Sequence, residues 1–222
     1  YLNRNGKEGC IFVEKYWHIE KTNLKYHIPV HLLVCILLLF VSPFFMGVKN
    51  LTAQDTAKVL EMYVALIGIV LLTPVFLPEQ DRGIRDLVCT KYLTSAVVYL
   101  VRIAGNIVLL ILLAGLYIGM LAYNQCDFPV VRYFLGTLTQ MLFMGGLGLF
   151  FYGLCDHLVI GYMAPVVYYM AAIGSGQKYM KMFYPFSMTY GSYDEKLWLA
   201  AGAVVLIGAG VWLRCRRRAP FS

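Results

Sequence analysis

Long apolar runs alternate with short polar links along this chain. Six of the runs approach the ~20 residues that a helix needs to cross a bilayer. They cover residues 28–48, 57–77, 96–122, 133–154, 158–173 and 197–213. The last two are short, and only Cys155, Asp156 and His157 divide the fourth from the fifth. Pro43, Pro74 and Pro165 interrupt three of the runs; a membrane helix tolerates this where its neighbours satisfy the freed carbonyls. The pattern predicts an all-α integral membrane protein with six transmembrane helices over 28–213. An interfacial N-terminal segment (1–27) precedes them and a basic tail (214–222) follows.

Two flanking segments have patterns of their own. In 10–26, Ile11, Phe12, Lys15, Tyr16, Ile19 and Asn23 recur at near-helical spacing, which suits either a helix lying in the interface or a solvated lead-in. Between Ser175 and Lys196 the chain reads SGQKYMKMFYPFSMTYGSYDEK. It is too apolar for a simple loop, and Pro185 breaks it too early to span. An external re-entrant hairpin fits, with Phe183, Tyr184 and Phe186 as an outer gate; a lid over the helix ends is the alternative. Glycines crowd the fourth run (Gly145, Gly146, Gly148, Gly153) and the sixth (Gly202, Gly208, Gly210), and Gly115 and Gly119 form a GxxxG in the third. Small residues of this kind let helix backbones approach closely.

Composition agrees with membrane residence: 60% of the 222 residues are hydrophobic and 14% charged, against about 45–50% and about 25% in soluble domains. The chain opens on Tyr1, which points to a longer natural start, and the first run is too long for the core of a cleavable signal. Positive charge sets the expected orientation. With the N-terminus inside, the inner segments hold twelve lysines and arginines, among them Arg82, Arg85, Lys91 and the 214–218 cluster, and the outer segments hold six. The cell membrane is therefore the expected location, multi-pass with both termini cytoplasmic. The net charge of +7 reads as topology and attraction to anionic lipid, not as nucleic-acid binding.

Chemistry-bearing motifs are sparse. HExxH, GxSxG and a GxxxxGK[ST] phosphate loop are all missing, so no catalytic, cofactor or metal residue is assigned and an enzyme is not expected. Six cysteines show no paired spacing. Few polar residues interrupt the runs: His31, Asn106, Thr139 and Gln140, with Glu61 near an outer end. Asn106 and Gln140 are candidates for lining a path, although a buried amide more often bonds a neighbouring helix.

The most charged link lies between the second and third runs: PEQDRGIRDLVCTKYLTS, residues 78–95. Beyond the polar turn at Glu79–Gly83, Ile84, Leu87, Val88, Lys91 and Tyr92 follow one helical stripe. That fits an amphipathic helix exposing Asp81, Arg82, Arg85 and Asp86, or a solvated loop. Glu79, Asp81, Arg82, Gly83, Asp86, Leu87, Val88, Thr90 and Arg102 stand in register with a pattern of the permease subunits of type-2 ABC exporters, E-x-[DE]-[RK]-G-T-x-E-L-φ-x-[ST]-x-P with a basic residue ten positions on. Ile84 and Tyr92 replace the usual Thr and Pro. The chain resembles that family in its overall layout as well.

The resemblance implies a transport subunit working as a pair, with an identical or paralogous second permease. Each half would bind a cytoplasmic ATP-binding cassette subunit that carries the ATP and Mg. Glu79, Asp81, Arg82, Gly83, Arg85 and Asp86 would form a coupling helix, joined by Asp156 in the short turn at 155–157. The cargo would be amphipathic or hydrophobic: peptide, drug or lipid-like. The competing reading is a small-ligand-capturing membrane subunit of a vitamin-type importer, which has similar span number and size but lacks the charged link.

Overall fold

The computed structural model describes residues 28–47, 51–80, 95–126 and 128–218. All the regular structure among them is helical, with no strand. α1 is Ile28–Met46; α2 is a composite of Ala53–Val59, Leu60–Val64, Leu66–Leu72 and Thr73–Gln80. α3 is Ser95–Tyr123, α4 Val130–Cys155, α5 Leu158–Ser175 and α6 Asp194–Arg218. Between α5 and α6 run three short turns of helix, Gln177–Met180, Lys181–Phe183 and Met188–Tyr190, here termed the hairpin.

Four of these helices are long and apolar enough to cross a membrane: Ala53–Pro78, Ala96–Tyr123, Val130–Cys155 and Asp194–Arg217. The apolar stretches Ile28–Phe44 and Leu158–Gly174 are shorter. Length and composition thus support four of the six expected spans. The two short ones have visible terminators. α1 stops after Pro43 at Gly47, which takes φ 73°, and α5 is bounded by the 156–157 turn and by Gly176 at φ 67°. Asp156 caps α4 in the left-handed region (φ 53°) and its N–H donates to the Tyr152 carbonyl. Asp enters this region more readily than most residues, because its short polar side chain can bond locally. The last helix also runs further than the sequence reading allowed: residues 214–218, expected as a tail, continue α6.

α4 is the hub of the bundle, and its glycines explain why. A Cβ on Gly145 would lie 2.4 Å from the Gly68 carbonyl of α2, and one on Gly153 would lie 2.8 Å from the Gly210 carbonyl of α6. A Cβ on Gly148 would sit 3.0 Å from the Gly161 carbonyl of α5. Glycine on both sides of each crossing brings α2, α5 and α6 against one helix at backbone contact. The GxxxG of α3 serves no such crossing: Gly119 has nothing within 4 Å and Gly115 only an edge of Phe134. Outward-facing Leu112, Leu116 and Met120 share its stripe.

α2 is the most enclosed of the long helices, with 78% of its apolar window buried against 28% for α6. It is also the least regular. Thr52 caps it, accepting from the Asp55 N–H, and Asp55 pairs with Lys58 at 3.1 Å. One turn on, Leu60–Val64 is a π-turn, in which the Ala65 N–H bonds the Leu60 carbonyl and leaves that of Glu61 without its usual donor. Gln140 of α4 fills the gap, its Nε2 donating to that carbonyl at 3.0 Å; Tyr169 of α5 donates to the next carbonyl, Met62, at 2.9 Å. From Thr73 the helix tightens to 3₁₀. The donor three residues beyond Leu71 is Pro74, which has no N–H. Asn106 of α3 donates to the Leu71 carbonyl instead, at 2.8 Å.

Candidate functional site

Two clusters of polar and aromatic side chains stand out, near opposite ends of the bundle. The first holds the hairpin down. Glu61, fully buried on the π-turn, accepts from the backbone N–H of Met188 (2.9 Å) and Thr189 (3.1 Å), from the Thr189 hydroxyl (2.8 Å) and from Lys196 Nζ (2.8 Å). Lys196, 5% exposed, uses its other donors on Gln140 Oε1 (2.9 Å) and the Pro185 carbonyl. The pair is thus saturated: four donors on the carboxylate, three acceptors around the ammonium. A buried ion pair offsets its desolvation only with such additional hydrogen bonds. α2, α4, α6 and the hairpin meet at these few atoms.

Packing completes the closure. Tyr184 and Phe186 turn inward, forming a small cluster with Ala172 of α5, and Phe186 meets Tyr169 edge-on at 5.4 Å. Met188 occupies the notch left by Gly136. Burial, with Tyr190 and Glu61 nearby, pushes the Tyr184 hydroxyl up to about 12. Phe183, at 44% exposed, lies over the bundle side: its ring stacks on Phe143 at 6.2 Å and its carbonyl accepts from the Tyr168 hydroxyl. Of the three residues expected to form an outer gate, Tyr184 and Phe186 are therefore anchors inside the bundle, and Phe183 is at its surface.

At the other end, Phe76 of α2 meets Tyr99 of α3 edge-on at 4.9 Å and Tyr152 of α4 at 5.8 Å. The Arg214 guanidinium from α6 lies 5.4 Å from the Phe76 ring and 5.5 Å from Tyr152. It is 1% exposed and pairs through Nη1 with Asp156, whose own side chain is 55% exposed. Among the described residues its Nε and Nη2 find no hydrogen-bond acceptor, and the two ring faces take that place. The ends of four helices thus meet in one cluster, with Tyr99 joined to it through Phe76.

Of the residues expected to couple to a motor, Asp156 belongs to this cluster. Glu79 ends α2 in the Thr73–Gln80 turn. Asp81, Arg82, Gly83, Arg85 and Asp86 lie outside the described residues, as does the N-terminal interfacial segment. Asn106 and Gln140 are both buried and both engaged with α2 carbonyls, so their Nδ2 and Nε2 face helix backbone. Arg102, the basic residue that completes the motif, is enclosed by protein at 6% exposure.

Sequence reading passed over Lys196 and Arg214, counting them only as loop and tail charges. A usable signal existed for Lys196: it immediately precedes an apolar run, and Glu61 is the one carboxylate within the apolar run 57–77. Among the described residues, no group of three or more His, Cys, Asp or Glu is placed to hold a metal. Comparison of the chain with protein-family models, curated proteins and solved structures finds no match.

Proposed function

We propose that the chain is the membrane subunit of an ATP-driven exporter, spanning the cell membrane six times with both termini in the cytoplasm. A separate cytoplasmic subunit supplies ATP hydrolysis with its Mg, and a second permease chain, identical or paralogous, completes the path for an amphipathic or hydrophobic cargo. The observation that carries this reading is the convergence of Phe76, Tyr99, Tyr152 and Arg214 beside the two helix ends that flank the charged link in sequence. α2 enters that link at residue 80 and α3 leaves it at 95. Both are gripped one turn away by the cluster that also holds the Asp156 turn and α6. A displacement of the link or of Asp156 by a soluble partner would reach four helices through a few ångströms of packed rings, which is what a coupling surface requires. The motif at residues 79–102 supplies the second line of support.

The test is co-purification of the chain with an ATP-binding subunit encoded beside it, together with ATPase rate and transport on the same reconstituted samples. Gly83→Val, and a combined Glu79/Asp81/Asp86→Ala variant, should insert and fold yet fail to recruit or respond to that subunit. Asp156→Ala should weaken coupling while leaving recruitment intact. Normal coupled transport in all three would refute the assignment.

A further inference from the structure

One stripe of α6 faces away from the bundle. Trp198, Ala201, Val205, Gly208, Trp212 and Arg216 follow one another at steps of three or four residues, and all six are exposed. The middle of the stripe is bare: a Cβ on Gly208 would meet nothing within 4 Å. Trp198 and Trp212 lie just inside the two ends of the apolar run 197–213, about 21 Å apart along the helix. Indoles so placed mark the two headgroup levels of a bilayer.

The ends of the stripe carry opposite charge. Asp194 and Glu195 open α6, and Lys196 is turned inward onto Glu61. Arg216 and Arg217 close it, both exposed. The Asp156 carboxylate is taken by Arg214, which stands two residues before Arg216 and so about 200° round the helix from it. Arg216 folds back along the stripe, its guanidinium 5.3 Å from the centre of the Trp212 ring. Among the described residues neither Arg216 nor Arg217 makes an ion pair or a hydrogen bond. A guanidinium lying over a ring keeps its N–H edge free for a bidentate acceptor, and a phosphate matches that fork.

We propose that this end of α6 is a binding site for one anionic phospholipid. Its phosphate bridges Arg216 and Arg217, Trp212 lies at its glycerol level, and one acyl chain follows the stripe over Gly208 and Val205. Charge and depth together select this occupant. From Trp212 back to Ala201 the helix rises about 16 Å, the depth of one leaflet of a hydrocarbon core of roughly 30 Å. A zwitterionic lipid offers the chain without net charge for two unpaired cations, and a soluble anion has no use for the apolar stripe. The site does not depend on the transport reading: it requires only that the bundle lie in a bilayer.

The experiment uses the full chain reconstituted in phosphatidylcholine vesicles doped with phosphatidylglycerol, then released for native mass spectrometry of the lipid each chain retains. Wild type should hold one phosphatidylglycerol per chain in preference to phosphatidylcholine. Arg216→Gln and Arg217→Gln should each lower that preference by about fivefold, the equivalent of about 1 kcal/mol for one basic residue near an anionic surface. Gly208→Phe should lower retention of both lipids while unfolding at the wild-type temperature, because its side chain enters the acyl path and not the bundle. Trp198→Leu, at the acidic end, should leave the preference as it is. An unchanged preference in the two arginine variants would overturn the headgroup assignment, and unchanged retention in Gly208→Phe would overturn the acyl path. An equal loss in Trp198→Leu would show a general lipid annulus in place of a site, and displacement of the lipid by inorganic phosphate alone would show a soluble-anion site; either result refutes the proposal. Loss of self-association in Gly208→Phe with lipid retention unaltered would reassign the stripe to a second copy of the chain.

Discussion

Removing both partners of the Glu61–Lys196 pair should cost less than the sum of removing each alone. Lys196→Met strips the buried carboxylate of one donor of four, leaving the Met188 and Thr189 backbone N–H groups and the Thr189 hydroxyl. Glu61→Leu removes the acceptor of all four and leaves an ammonium with only Gln140 and the Pro185 carbonyl. Breaking a buried pair from one side typically costs about 3–5 kcal/mol. The lysine variant belongs at the lower end of that range because its orphaned charge keeps three hydrogen bonds, and the glutamate variant at the upper end. For a chain of this size, about 3 kcal/mol lowers the midpoint by roughly 6–12 °C. In the double variant no buried charge is left, so its loss should be smaller than the sum of the singles, with a coupling energy above about 1 kcal/mol. Thermal unfolding of the purified chain, followed by a cysteine-reactive dye and checked by size-exclusion profiles, measures all three. Protease cleavage after Lys178 or Lys181 reports whether the hairpin opens first. Additive losses, or single variants both within about 1 kcal/mol of wild type, would show that the pair does not hold the hairpin.

Other outcomes follow from the same contacts. Gly145→Val should abolish assembly, since even a Cβ there would lie 2.4 Å from a carbonyl of α2, whereas Gly119→Val should be silent because nothing lies within 4 Å; membrane yield and gel-filtration profile separate the two. Arg214→Met should be tolerated better than Arg214→Ala, because Met fills the slot between Phe76 and Tyr152 while Ala leaves a cavity; unfolding midpoints rank them. Tyr184, held neutral by burial with a hydroxyl pushed up to about 12 against about 10 in the unfolded chain, should contribute its full stability below about pH 10. That contribution is lost as pH rises toward 12, and Tyr184→Phe should make the alkaline loss of stability shallower than in wild type.

The helical class and the apolar segments were legible in the sequence because each rests on a long, unbroken run of one character. Three things were not. The π-turn at Leu60–Val64 leaves no periodic signature: V-L-E-M-Y-V reads as ordinary helix, and only the position of Gln140 on α4 makes the extra residue affordable. The GxxxG of α3 was visible, but a motif carries no address, and the crossings fell instead on glycines spaced three and five apart in α4. Lys196 and Arg214 were misplaced for a common reason. A charge at the edge of an apolar run looks the same whether it faces water or a partner on another helix, and the partners, Glu61 and Asp156, are 135 and 58 residues away.

α2 links the two clusters, and its irregularity follows from that position. Glu61 and Phe76 are 15 residues apart, about 22 Å along a regular helix. Between them the helix passes from π-turn to α-helix to 3₁₀, so it is wound loosely near the hairpin and tightly near the charged link. Each change of winding frees a carbonyl, and each freed carbonyl is taken by a side chain from another helix: Gln140 and Tyr169 above, Asn106 below. A regular helix would need none of these three donors, and the three donors would have no role in a bundle with a regular α2. Rewinding α2 at one end would therefore require one of them to let go, at roughly 1 kcal/mol for a neutral hydrogen bond and more if the released group stays buried. That is small beside the about 3–5 kcal/mol that stranding one charge of the Glu61–Lys196 pair costs. The weakest point for motion is consequently the lower break at Pro74, two residues before Phe76, where the Asn106 amide holds the Leu71 carbonyl. Asn106→Leu should loosen α2 there without releasing the hairpin. Hydrogen exchange that rises at Leu72–Phe76 and stays unchanged at Met188 and Thr189 would bear this out; a rise confined to the hairpin would refute it.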